Sequence, residues 1–157
     1  MDLGEVTSNR QQAEATHLFK DYYTSVGFDA DTAASALLHD IQETNGRIFL
    51  AQSGHISQGA ISYTHIEPDV AEIRALYVDP TYRKTGIGSE LLAAVLEQLR
   101  KQHTWTVRLY TLATMTDAIS LYSKFGFETT PPYKSGMLDG TVFMRLKLAP
   151  QEKDRQP

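Results

Sequence analysis

The sequence predicts a single α/β domain built on a mixed sheet. Three observations carry that reading. Two stretches with helical spacing open the chain, three strand-like runs joined by short turns follow, and the second half alternates strand and helix before a last strand. The chain has 157 residues, of which 41% are apolar, enough for one ordinary core.

From about Ser8 to Val26, residues Ala15, Leu18, Phe19, Tyr22, Tyr23 and Val26 recur on one helical face, with Ser8 as cap and Gly27 as stop. A second helix is expected from Asp31, as its cap, to about Thr44, with Ala34, Leu37, Leu38 and Ile41 forming the stripe. Asn45-Gly46 breaks the chain. Arg47–Gln52 and Gln58–Ile66 read as a hairpin around Ser53-Gly54-His55. Val70–Val78 is a long strand, in which strict alternation puts Glu72, Arg74, Leu76 and Val78 on one face and Ala71, Ile73, Ala75 and Tyr77 on the other. Strands in this order with short turns should be antiparallel. A helix follows from about Ile87 to Gln102, then a strand over Trp105–Leu112, a short helix over Met115–Phe125 ended by Gly126, and a strand over Thr141–Leu148. The crossover through the long helix makes part of the sheet parallel. Residues 1–148 form the domain, and the polar, proline-bracketed stretch 149–157 reads as a disordered tail.

Composition removes several classes of function. Fifteen Lys and Arg against 19 Asp and Glu give a net charge of −4, which argues against a nucleic-acid binder. No apolar run is long enough for a membrane span, and the start lacks the pattern of a secretory signal, so a cytoplasmic location is expected. With zero cysteines there is no disulfide framework, no thiolate metal site and no cysteine-borne acyl intermediate. The five histidines form no ligand pair, and no metal is expected.

The most informative segment is Arg83-Lys84-Thr85-Gly86-Ile87-Gly88-Ser89, between a strand and a helix. Unpaired N–H groups at a helix start suit an anion, glycines let it approach the backbone, and Arg83 and Lys84 add charge. The pattern matches neither GxxxxGK[ST] nor GxGxxG. Taken alone, it is equally a helix-entry turn that uses glycine for geometry.

Together with the Ala118, Leu121, Tyr122, Gly126 and Phe127 element, this segment resembles the GCN5-related N-acetyltransferases, the GNAT superfamily. The matching motifs are Gln/Arg-x-x-Gly-x-Gly/Ala and Ala-x-x-Leu-Tyr-x-x-x-Gly-Phe. The resemblance covers roughly residues 47–148 and extends in character to the first helices. It implies a mixed, mostly antiparallel sheet of about six to seven strands flanked by about four helices. It implies acetyl-CoA as co-substrate, with its pyrophosphate on Lys84, Thr85, Gly86, Ile87, Gly88 and Ser89 beside Arg83, and its pantetheine arm along Leu76, Tyr77 and Val78. Relatives often carry a cofactor-contacting Asn where this chain has Met115; Thr114 and Thr116 are the alternatives for that contact. A homodimer is common among relatives, although no interface is legible in this sequence.

The expected activity is transfer of the acetyl group to a primary amine of a small molecule or protein, by direct attack in a ternary complex. Tyr122 is the candidate general acid, because a phenol can protonate a leaving thiolate; packing of the same ring against Ala118 and Phe125 is the competing reading. Glu72 is the candidate base, at a spacing from Arg83 that some relatives use; an exposed strand glutamate paired with Arg74 or a neighbouring strand is the alternative. Val78 N–H would hold the oxyanion. Tyr133 is the candidate acceptor-binding residue, with His39, Asp40, Tyr22, Tyr23 and Phe28 behind it. Two other readings stay open: a non-catalytic acyl-CoA-binding regulatory module, and a phosphate-ligand domain with unrelated chemistry.

Overall fold

A computed structural model describes residues 1–148. The tail expected at 149–157 lies outside the described residues. The elements are β1 (Asp2–Glu5), α1 (Asn9–Ser25), α2 (Ala30–Glu43), β2 (Arg47–Ser53), β3 (Ile56–Glu67), β4 (Val70–Val78), a single 3-10 turn (Pro80–Tyr82), α3 (Ile87–Lys101), β5 (Thr106–Leu112), α4 (Thr116–Lys124), β6 (Glu128–Thr129) and β7 (Thr141–Lys147). They form a seven-stranded sheet in the order β1-β2-β3-β4-β5-β7-β6. β1 to β4 are antiparallel, β5 runs parallel to β4 after the α3 crossover, and β7 returns antiparallel between β5 and β6. The mixed, mostly antiparallel sheet with four α-helices is the expected architecture.

Ser8 caps α1 by accepting the Gln11 N–H at 3.1 Å. The cap of α2 differs from expectation. Asp29, not Asp31, accepts the Thr32 N–H at 3.0 Å, and Asp31 falls in the first turn, where its charge favours the helix dipole instead. Gly46, between α2 and β2, is dictated by space, since a Cβ there would lie 2.2 Å from the Tyr63 carbonyl oxygen.

Two cores sandwich the sheet. On one face Leu91, Leu92, Val95, Leu96 and Leu99 of α3 pack on Ile61, Tyr63, Ala71, Ile73, Val107 and Leu109. On the other, Ala15, Leu18 and Phe19 of α1 and Leu37 and Ile41 of α2 pack on Ile48, Leu50, Ala60, Ala75 and Tyr77.

β4 does not alternate as expected. Ser62 of β3 faces Ala75 and Tyr63 faces Ile73, so Arg74 is an extra residue, a β-bulge. The alternation changes phase there. Ala71 and Ile73 belong to the α3 core, and Leu76 and Val78 pack against that same core, while Ala75 and Tyr77 join the opposite one. Glu72 therefore does not share a face with Leu76 and Val78. It lies with Arg74 on the α1/α2 side, where Arg74 reaches Asp40 of α2.

Candidate active site

The parallel ladder between β4 and β5 is short. It pairs Val70, Ala71 and Glu72 with Thr106, Val107 and Arg108, then stops. β5 continues to Leu112 against β7, and β4 continues to Val78 against β3, so the two strands part. From Ile73 onward, the side of β4 turned toward β5 has no strand partner. A narrow cleft of about 20 Å³ lies at the fork, between Ile73–Leu76 and Tyr110–Thr111, closed by Tyr22, Met115, Ala118 and Tyr122.

Three tyrosines from three elements meet here: Tyr22 of α1, Tyr110 of β5 and Tyr122 of α4. Tyr122 is buried, with its ring edge-on to Phe127 at 5.6 Å. Burial pushes its phenol well above the ordinary value, so it carries its proton throughout the neutral range. Tyr110 and Thr111 carried no signal in the sequence, Arg74 only that of a strand partner for Glu72, and Tyr22 a faint one, because each reaches the cleft through tertiary packing. Met115 is at the N-cap of α4, caps nothing with its side chain and lines the cleft.

The glycine turn begins where β4 ends. Lys84 (φ 64°) and Gly86 (φ 87°) are both left-handed, and Gly86 serves as the N-cap of α3 with no side chain capping the helix. The first intrahelical bond is Glu90 N–H to Gly86 O, which leaves the N–H groups of Ile87, Gly88 and Ser89 ahead of it. Left-handed geometry, rather than crowding, requires the glycine at 86, since a Cβ there would meet nothing within 4 Å. At Gly88 a Cβ would stand 3.4 Å from the Leu121 side chain of α4, an ordinary contact, so space does not demand glycine there. Thr85 donates its hydroxyl hydrogen to the Tyr82 carbonyl. Arg83 folds back: its Nε donates to the Val78 carbonyl at 2.9 Å and its guanidinium lies over Tyr77 at 5.3 Å, pinning the turn to the end of β4. Lys84 is exposed. Leu76, Tyr77 and Val78 lie on the stretch of β4 that has no strand partner on the β5 side; the Tyr77 side chain is buried.

Glu72 and Tyr133 are brought together. Glu72 is only 1% exposed; its Oε2 accepts the Tyr133 hydroxyl at 3.1 Å and its Oε1 accepts Lys134 Nζ at 2.9 Å. Arg74 Nε stands 3.6 Å from Oε1, and Arg74 is itself bonded to Asp40 at 2.8 Å. Burial and the adjacent carboxylate hold the Tyr133 phenol far above its ordinary range. Glu72 does not line the cleft, but its chain neighbours Ile73 and Arg74 do. His39 and Phe28 are not among the residues that line it. A larger open hollow of about 840 Å³, between Glu43–Arg47 and His65–Pro68, contains none of the residues the sequence singles out. Among the described residues, no group of three or more His, Cys, Asp or Glu could hold a metal ion, and no helix is long and apolar enough to cross a membrane.

Comparison with known proteins points the same way. The model of the acetyltransferase (GNAT) family matches residues 13–127. An uncharacterized N-acetyltransferase of Schizosaccharomyces pombe is 34% identical over 82 residues, covering 52% of this chain and 50% of that protein. The [ribosomal protein bS18]-alanine N-acetyltransferase of Escherichia coli K12 is 35% identical over 78 residues, 50% of this chain and 51% of that protein. The chain thus spans about half the length of these curated relatives. A GNAT-family acetyltransferase of Staphylococcus aureus Mu50 has the same fold, with a TM-score of 0.77 over 94% of this chain and 100% of that one at 22% identity.

Proposed function

The chain belongs to the acetyltransferase (GNAT) family, and from that premise we propose that it transfers the acetyl group of acetyl-CoA to a primary amine of a small molecule or protein in a ternary complex, in the cytoplasm. The observation that carries the reading is the parting of β4 and β5 beyond Glu72, with Tyr122 at the fork and an uncapped helix start at its mouth.

The residues present fit the co-substrate. The N–H groups of Ile87, Gly88 and Ser89 and the exposed Lys84 suit a pyrophosphate. The unpartnered side of β4 at Leu76–Val78 suits the two amides of a pantetheine arm, which complete the strand as an added strand would. Bound there, acetyl-CoA supplies an activated thioester carbonyl. Transfer forms a C–N bond to the acceptor and breaks the C–S bond. The Tyr122 hydroxyl gives its proton to the departing sulfur. Burial that raises the phenol also raises the proton affinity of a thiolate in the same cleft, so the donor stays matched. The backbone N–H of Val78 steadies the negative charge that develops on the carbonyl oxygen. Glu72 takes the surplus proton of the amine, which requires one of its present partners to leave.

The test is release of free thiol from acetyl-CoA across a panel of amines. The panel includes an alanine-terminated peptide, chosen for the similarity to the alanine N-acetyltransferase. Amine-dependent release with an acetylated product by mass spectrometry is expected. Coenzyme A binding without release from any amine would leave a binding module.

A further inference from the structure

Lys134 reaches a buried carboxylate from a surface loop. It belongs to an exposed stretch between β6 and β7, yet its side chain turns inward. Nζ donates to Glu72 Oε1 at 2.9 Å and stands 4.9 Å from the centre of the Tyr110 ring. A carboxylate as buried as Glu72 needs charged and hydrogen-bonding partners. Two of its three are fixed. Arg74 is shared with Asp40, and Tyr133 is held edge-on to Phe143 at 5.0 Å with Arg108 over it at 5.1 Å. Lys134 has 38% of its side chain open to water, against 17% for Arg74. The two groups that receive it, a carboxylate and an aromatic face, recognise any alkylammonium. Tyr110 also lines the cleft where transfer is proposed.

We propose that the Glu72 carboxylate and the Tyr110 ring form the ammonium subsite of the acceptor, and that Lys134 occupies it as an exchangeable internal stand-in. This rests on the acetyl-transfer reading and deepens it by naming the acceptor class: a primary ammonium on an unbranched aliphatic chain, the head group a lysine presents. Because Arg74 is shared with Asp40 and stands 3.6 Å from Glu72 Oε1, withdrawal of Lys134 removes the shortest contact to that oxygen and opens it to the incoming amine. Arg108, on the other side of Tyr133, disfavours a polycation. An internal competitor also lowers the apparent affinity for the acceptor until it is displaced.

Calorimetry with n-butylammonium chloride at fixed ionic strength tests this on wild-type protein, Lys134→Ala, and Lys134→Ala combined with Glu72→Gln. Binding at least tenfold tighter to Lys134→Ala than to wild type is expected, with the gain abolished by Glu72→Gln. Thermal melting checks that each variant is folded. Should the double variant not fold, Tyr110→Leu in the Lys134→Ala background removes the ring and should lower the affinity. Equal affinity for wild type and Lys134→Ala, or a gain indifferent to both second substitutions, would overturn the subsite. The acetyl-transfer reading is judged separately by thiol release. Release that proceeds while butylammonium ignores Lys134→Ala sinks the subsite alone, and absence of release with every amine sinks transfer while leaving the binding comparison to stand.

Discussion

The two ends of β4 are built for different work. At Val70–Glu72 the strand is laddered on both sides, to β3 and to β5, and its neighbours Val107 and Leu99 are fully buried. At Ala75–Val78 it keeps β3 and has no strand partner on the other side, where Arg83 reaches the Val78 carbonyl. Backbone groups need partners, so the first end is complete in itself, and the second is where we propose that a ligand with peptide-like groups pairs. One inserted residue, Arg74, marks the change. The difference teaches that stability and binding can be divided along a single strand.

Substitutions can break or sharpen that division. The largest effect is expected at the closed end: Leu99→Ala should cost about 2–5 kcal/mol in urea unfolding, with turnover per folded molecule unchanged. At the open end, Tyr122→Phe should lower kcat about 100-fold while leaving the melting temperature and coenzyme A affinity in place. An unchanged kcat would remove Tyr122 from the chemistry. Smaller is Gly86→Ala, where a left-handed side chain costs about 1–2 kcal/mol. Gly54→Ala, in the β2–β3 turn at φ 61° and equally open space, is its control. Both should lose similar stability, and only the former should weaken coenzyme A binding in calorimetry.

The gentlest effect is alkaline. Burial pushes the phenols of Tyr63 and Tyr23 from 10 up to about 12. The folded state therefore keeps protons that the unfolded chain has lost. Its stability should be full below about pH 10 and fall as pH rises through about 12. Tyr122 is shifted upward more strongly, so the high-pH loss of turnover should track unfolding measured by circular dichroism.

The long elements were legible because their periodicity is strong: the α3 stripe, the β2–β3 hairpin and β4 itself stand nearly as read. The bulge was not. Both faces of β4 are buried, so VAEIRALYV has no polar–apolar rhythm for an extra residue to disturb. β1 and β6, with four and two residues, are too short to show a period and exist because an edge was available to pair with. Asp29 caps α2 because its carboxylate accepts both the amide and the hydroxyl of Thr32, while Asp31 already lies inside the first turn. Of the site, the glycine turn and Tyr122 carry local motifs, whereas Lys134 meets Glu72 and the Tyr110 ring only once β5 and the loop before β7 are in place.

The position of β7 has a consequence for synthesis. β5 shares three residue pairs with β4 but seven with β7, including all those along Leu109–Leu112. As the chain emerges vectorially, everything through α4 can gather while that wall of the fork hangs without its main support. Only when residues 141–147 have cleared the ribosome can it be fastened. A nascent chain arrested before Thr141 should thus leave the fork unset, and the cleft takes shape only after β7 has emerged.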